Sequence, residues 1–178
     1  RHFYYNQKIN CMRAEGSFRI GKEEYRFTPD TSFAVLDWGR GVWTYKNTWY
    51  WSSLSSAVNG VRVGFNLGYG FGDTSAASEN MVFYDGKAFK LEDVIFEIPR
   101  DEKGRYEYLK PWKIISSDGR LNLDFEPILD RHDHINALVI ASNQHQVFGK
   151  FSGTLPFGEE TIEIRDLVGF AERVENRW

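Results

Sequence analysis

Apolar and polar residues alternate with a period of two along most of this chain, and glycine-containing turns punctuate the alternation. Successive side chains of a strand point to opposite faces, so this pattern predicts half-buried antiparallel strands. Residues 3–20 read as one or two strands, a turn at Gly21-Lys22 leads into a strand over 24–27, and Pro29-Asp30-Thr31 breaks the pattern. Residues 32–41 contain Asp37-Trp38-Gly39-Arg40-Gly41. That core is too rich in glycine for a helix interior and reads as a loop or a single short turn.

The central hairpin can be registered from sequence. Asn59-Gly60 is the strongest short hairpin signal, because a two-residue type I′ turn needs positive φ at both positions. Pairing Val58 with Val61 sets the rest. One face then carries Val58/Val61, Ser56/Val63, Leu54/Phe65, Ser52/Leu67 and Tyr50/Tyr69, and is mostly apolar. The other carries Ala57/Arg62, Ser55/Gly64, Ser53/Asn66, Trp51/Gly68 and Trp49/Gly70, so two tryptophans oppose two glycines. A facing aromatic can cover the gap that a strand glycine leaves.

Asp85-Gly86 predicts a second turn, joining 80–84 to 87–91. Residues 94–98 alternate and end at Pro99, and 100–105 form a charged loop. Asp118-Gly119 predicts a third hairpin with Ser116/Leu121, Ile114/Leu123 and Trp112/Phe125 on its core face. Its outer face places Lys113 opposite Asp124 as a charge pair. Residues 135–141 form an apolar run bounded by Ser142-Asn143-Gln144-His145-Gln146, residues 147–155 alternate again, and 161–164 begin a strand. The tail over 166–174 reads as a short helix or a bulged strand. About ten evenly spaced strands imply a single all-β domain over 1–178. A closed antiparallel barrel is favoured over a sandwich because closure removes exposed hydrophobic edges.

Composition narrows the function. A net charge of −3 gives no electrostatic footprint for nucleic acid or an anionic surface, and no apolar run nears the roughly 20 residues that span a bilayer. The sequence starts at Arg1 without an apolar signal core, which suggests the back half of a longer protein or a trimmed one. Cys11 is the only cysteine, which fits a reducing, cytoplasmic setting. No cofactor motif stands out.

Several clusters carry candidate chemistry. Gly68-x-Gly70-x-Gly72 lacks the strand–helix context of a phosphate loop, so close packing or sheet curvature is the better reading. His132 and His134 share a face if they lie on a strand, as metal ligands can, but no third ligand is fixed in sequence; a solvated turn is the competing reading. Asp73, Glu79, Asp124, Glu126 and Asp166 are acids near aromatic strands, and the separation that paired-carboxylate chemistry needs is not set by their spacing. His145, flanked by glutamines, is either a hydrogen-bonded structural residue at a turn or a general acid/base. Trp43, Tyr45, Trp49, Trp51, Tyr69 and Phe71 have three readings: packed core, the lining of a ligand pocket, or an exposed platform. In the pocket reading Asn66 and Asn80 join them as polar lining.

Beyond this, long stretches resemble one family. They are Tyr4-Tyr5-Asn6-Gln7-Lys8-Ile9-Asn10, Leu36-Asp37-Trp38-Gly39-Arg40-Gly41, Asn66-Leu67-Gly68-Tyr69-Gly70-Phe71-Gly72-Asp73, Asp124-Phe125-Glu126-Pro127, Gln144-His145-Gln146-Val147-Phe148-Gly149 and the ending Gly169-Phe170-Ala171-Glu172 to Asn176-Arg177-Trp178. Nearly end to end, the chain resembles the C-terminal half of a largely bacterial domain-of-unknown-function family, number 2804. The resemblance implies a distant relation to the calycin superfamily and its two-domain lipocalin-like members, which include enzymes acting on hydrophobic substrates. It implies an N-terminal domain of the same protein as partner, and it carries over no catalytic residue.

The expectation is therefore a lipocalin-like antiparallel barrel that binds a small hydrophobic or amphipathic molecule in its cavity or in a cleft against the other domain. Trp43, Tyr45, Trp49, Trp51, Tyr69, Asn66 and Asn80 would contact it. The alternatives are an acid/base enzyme, a hydratase or isomerase, in which His145 meets Glu126 or Asp73 across a pocket, and a structural half that docks onto its partner domain.

Overall fold

A computed structural model describes residues 2–178 as an all-β protein with no helix among them. The strands in chain order are β1 (Phe3–Arg13), β2 (Gly16–Ile20), β3 (Glu23–Phe27), β4 (Phe33–Val42), β5 (Lys46–Val58), β6 (Val61–Tyr69), β7 (Met81–Tyr84), β8 (Lys87–Lys90), β9 (Val94–Glu97), β10 (Trp112–Ser116), β11 (Asn122–Ala137), β12 (Ile140–Phe157) and β13 (Glu160–Arg177). Nine of them form one antiparallel sheet in the order β8-β7-β6-β5-β13-β12-β11-β10-β9.

That sheet curls into a half-barrel. Across its concave side β9 approaches β6 and β12 approaches β7. Phe96 of β9 lies edge-on to Tyr69 and Tyr50, with ring centroids 5.6 and 6.0 Å apart, and the Tyr69 hydroxyl accepts a bond from the Phe96 amide. The two edges, β8 and β9, are joined by only three residues, 91–93, yet do not pair. The expected closed barrel of about ten strands is thus a nine-stranded open sheet whose gap is bridged by side chains. Ladders of four residues do form at β7–β8 and β9–β10, so strand length is no bar; the twist accumulated across nine strands keeps the two edges from aligning.

The concave side is solid. Leu54, Phe65, Trp112, Leu123, Phe125, Phe151 and Leu155 are all essentially inaccessible, and they interdigitate as one core. Phe151 touches both sides of the curl, with Phe65 at 5.1 Å and Phe125 at 4.5 Å between centroids.

The expected register of the central hairpin holds from Val58/Val61 to Tyr50/Tyr69, and that of the Asp118-Gly119 hairpin holds from Ile115/Asn122 to Trp112/Phe125. Lys113 and Asp124 pair at 2.9 Å. The 166–174 tail is a bulged strand, with Asp166 at φ 54° beside a register shift between Phe151 and Gly153.

Three local readings change. Residues 32–41 are not a loop; they form β4, which pairs along β1 as a separate two-stranded ribbon. Gly39 and Gly41 belong to this strand because β1 lies so close: a side chain on Gly39 would meet the Tyr4 ring, and one on Gly41 the Phe3 carbonyl. The apolar run 135–141 is not one strand but the tip of a long β11–β12 hairpin that turns at Leu138-Val139. Asp130-Arg131-His132-Asp133-His134 is accordingly mid-strand rather than a turn, and His145 sits within β12 directly opposite His132.

The β1–β4 ribbon covers the outer face of β5 and β6. Asn10 donates to Ser53 Oγ at 2.6 Å and to the Phe65 carbonyl at 3.0 Å, and the Cys11 amide donates to Ser55 Oγ at 2.9 Å. The serines and glycines of the central hairpin's second face make this approach possible. Gly64, for instance, sits under the Cys11 sulfur. The β2–β3 hairpin is exposed throughout and carries Phe18 stacked on Tyr25 and Phe27.

Candidate functional site

Two polar clusters stand out, one at the open mouth of the concave side and one on the outer face beneath the ribbon.

The mouth cluster grows from the register of β11, β12 and β13. Antiparallel pairing sets His132 opposite His145 and His145 opposite Arg173, all on the concave side. Asp130 pairs with Val147, so its carboxylate reaches diagonally to His145 Nδ1 at 2.7 Å. The His145 ring is clamped between Tyr108, stacked at 3.7 Å, and His132, stacked at 4.1 Å. Burial lowers the His145 pKa by more than the Asp130 bond raises it, so the imidazole is neutral at pH 7. Asp130 Oδ2 fixes Nδ1 as the protonated nitrogen, which leaves Nε2 as the basic one. Nε2 has no partner among the described residues, and the second Asp130 oxygen is buried without one.

Arg173 extends the cluster. Its Nε donates to Tyr50 Oη at 3.1 Å, its Nη1 to Tyr108 Oη at 3.3 Å and its Nη2 to Glu175 at 2.7 Å, while the guanidinium lies 4.4 Å from the Tyr106 ring centroid. Burial works against its charge, but the Glu175, Tyr50 and Tyr108 bonds hold its pKa above the ordinary value. Burial likewise pushes the nearby Tyr69 phenol up to about 12. Alongside, a solvent-open recess of about 350 Å³ is lined by Thr48, His134, Asn143, Glu175, Lys46 and Arg177 among others. Asn143, which lines the recess, bonds His132 Nε2 through its Oδ1 at 3.0 Å, and His132 in turn stacks on His145.

The outer-face cluster centres on Lys8. Its ammonium lies 3.7 Å from the Trp51 ring centroid, 3.1 Å from Asp37 and 3.8 Å from Glu79. Glu79 Oε2 also accepts from Asn6 at 3.2 Å, and its carboxylate occupies the space above Gly68. Glu172, only 4% exposed, accepts from Trp49 Nε1 at 3.1 Å and Gln146 Nε2 at 3.0 Å. Burial raises both glutamates above the usual carboxylate range, against the Lys8 charge and Asn6 bond at Glu79 and the Trp49 and Gln146 bonds at Glu172.

The sequence candidates divide between these places. Trp49, Trp51 and Asn66 meet on the outer face, where Trp51 Nε1 donates to Asn66 Oδ1 at 2.8 Å. Tyr69 lies on the opposite face, stacked 4.5 Å from Tyr50, so it shares no pocket with those tryptophans. Trp43 and Tyr45 precede β5 and are half exposed; Trp43 packs on Phe71 and Trp178. Asn80 is consumed by structure, accepting from the Gly68 amide at 2.7 Å and donating to the Glu92 carbonyl. Asp73 is an exposed loop residue that accepts from the Ser75 amide. Glu126 is exposed and follows buried Phe125, so it points away from the concave side. His145 meets neither of these acids; its carboxylate is Asp130. His132 and His134 gain no third ligand, since no group of three metal-binding side chains occurs among the described residues.

Sequence reasoning missed Asp130, Tyr108, Arg173, Lys8 and Glu172. Asp130 was findable: a turn placed at Leu138-Val139 sets His132 against His145 and puts Asp130 on the diagonal. That turn carries no glycine, asparagine or aspartate to announce it.

No curated protein matches the chain, and no solved structure matches it. Over residues 1–178 the sequence fits the family described as Domain of unknown function (DUF2804), and the chain belongs to that family.

Proposed function

We propose that the mouth of the half-barrel is the functional site, and that His145, held by Asp130, acts there as a general base on a small molecule. The observation that supports this is a single arrangement: a clamped, neutral imidazole whose Nδ1 is bound to a carboxylate at 2.7 Å and whose Nε2 has no partner among the described residues. Asp130 fixes the tautomer and stabilises the imidazolium that forms when Nε2 takes a proton. Arg173 and the tyrosines around it supply a cationic, donor-rich wall for an anionic or polar group of the substrate. Isomerisation of an unsaturated amphipathic compound fits this set, with Nε2 taking a proton from one carbon and the imidazolium returning it to another; hydration fits too, with Nε2 taking a proton from water as its oxygen adds to one alkene carbon and the imidazolium protonating the other. We further read the curled antiparallel wall with its apolar concave side as lipocalin-like, working beside an N-terminal domain.

The test is proton exchange. Enolisable and unsaturated carboxylic acids are incubated with the protein in D₂O, and deuterium uptake at carbon is followed by NMR. Uptake by at least one class is expected, abolished in His145→Gln and reduced about 100-fold in Asp130→Asn. Uptake that survives His145→Gln refutes the assignment.

A second reading rests on the outer face. Tyr4, Trp43, Trp49 and Phe71 pack as an aromatic patch, with Tyr4–Phe71 at 4.7 Å and Trp49–Phe71 at 5.3 Å, next to the Lys8–Glu79–Glu172 charges. An amphipathic molecule would lie with its apolar body on the rings and its head at Lys8. Trp51→Ala would then abolish saturable quenching of tryptophan fluorescence by that molecule.

A further inference from the structure

One end of the molecule gathers apolar side chains in the open. The β11–β12 tip presents Ile135, Leu138, Val139 and Ile140, all exposed, with Leu138 at 92%. Behind it stand aromatics linked by contact: Tyr45 Oη donates to the Val139 carbonyl at 2.7 Å, the Trp178 amide donates to the Tyr45 carbonyl, and Trp43 packs on Trp178 at 5.5 Å. Beside them lie Lys46, exposed, and Arg177, which donates to the Leu138 carbonyl at 2.6 Å. Residues 43–47, 134–143 and 176–178 contain no aspartate or glutamate, although the whole chain is acidic.

Neither packing nor turn geometry accounts for the leucine. Leu138 is the first residue of a two-residue hairpin loop and has φ 58°. That region favours glycine, asparagine and aspartate and penalises a bulky side chain. A polar residue would suit both the backbone and the solvent. An exposed aliphatic tip flanked by tryptophan, tyrosine and cations, with Tyr45 and Arg177 both bonded to its turn carbonyls, is the set of side chains that a bilayer surface selects: apolar groups for the acyl chains, aromatics for the interface and cations for anionic headgroups.

From this we infer that the β11–β12 tip inserts into the surface of an anionic lipid bilayer, with Leu138 and Val139 among the acyl chains, the Trp43–Tyr45–Trp178 group at headgroup level, and Lys46 and Arg177 against lipid phosphates. The recess lined by Lys46, His134, Glu175 and Arg177 then opens beside the membrane, where an amphipathic molecule could pass from lipid to mouth. The tip inference does not depend on the chemistry assigned to His145.

The experiment is vesicle co-sedimentation of the full chain with phosphatidylcholine alone and with about 30% phosphatidylserine added. Binding to the anionic vesicles is expected to exceed binding to the neutral ones and to weaken with salt. Leu138→Asn relieves the turn, so its melting temperature should equal or exceed that of the parent. Its affinity for vesicles should nevertheless fall by about tenfold or more, the worth of burying one leucine side chain. Failure of the parent protein to bind either vesicle overturns the inference, as does equal binding by Leu138→Asn. A parent that is oligomeric by light scattering, and that Leu138→Asn makes monomeric without any vesicle binding in either form, reassigns the tip to a protein interface and also overturns it.

Discussion

Gly68→Ala tests how the ribbon is seated on the sheet, and Gly64→Ala is its natural companion. Both glycines lie in β6, and neither has positive φ, so space rather than backbone conformation decides the outcome. A Cβ on Gly68 would come 2.5 Å from Glu79 Oε1 and 3.1 Å from the Tyr50 carbonyl. Glu79 can swing aside, but it then leaves Asn6 at 3.2 Å and Lys8 at 3.8 Å. Each of these partly exposed contacts is worth about 1 kcal/mol at most. Alanine returns about 0.5–1 kcal/mol by restricting the unfolded chain. The net loss is about 1 kcal/mol. At Gly64 the Cβ would run into the Leu54 carbonyl of the paired strand and lie 2.6 Å from Cys11 Sγ. The carbonyl is part of the β5–β6 ladder and cannot move alone, so overpacking costs about 3 kcal/mol. Urea unfolding at unchanged m-value would measure both. In a Glu79→Ala background, Gly68→Ala should become neutral or stabilising, while Gly64→Ala should keep its full cost. A Gly68→Ala penalty that persists without Glu79, or a Gly64→Ala variant as stable as the parent, would refute the reasoning.

Further outcomes follow from the buried groups. Glu172 has its folded pKa raised by burial, so its contribution to stability is greatest at acid pH and is lost as pH rises through that raised value. Glu172→Gln should therefore gain stability relative to the parent between pH 4 and pH 7, read as the difference in melting temperature; a gain that shrinks toward pH 7 contradicts the burial argument. His145 is displaced the other way: burial lowers its pKa while Asp130 raises it, so Asp130→Asn should lower it further, and an NMR titration that moves upward removes Asp130 from the dyad. Phe151, inaccessible and in contact with Phe65 and Phe125, should cost about 3–5 kcal/mol on Phe151→Ala, measured by urea unfolding.

What the sequence determined by itself was local. Period-two alternation and three glycine turns fixed most strands and two hairpin registers, because a type I′ turn and a two-faced strand leave only one pairing that buries the apolar set. The two faces of the central hairpin were legible for the same reason; that register already set Tyr69 on the opposite face from Trp49 and Trp51, and the expected site was wrong to group the three. What occupied the space above the glycines was not legible. Glu79 fills it above Gly68, folded back by the loop after β6, and Cys11 fills it above Gly64, arriving from the far end of the chain. The Asp130–His145 pair needed a turn at Leu138 that has no turn residue. Arg173 faces Tyr50 through the β5–β13 pairing, but it met Tyr106 and Tyr108 only once the sheet had curled. Even the choice between barrel and open sheet was tertiary. Closure depends on whether the two short edge strands can align, and that is decided by accumulated twist across nine strands rather than by the pattern within any one of them.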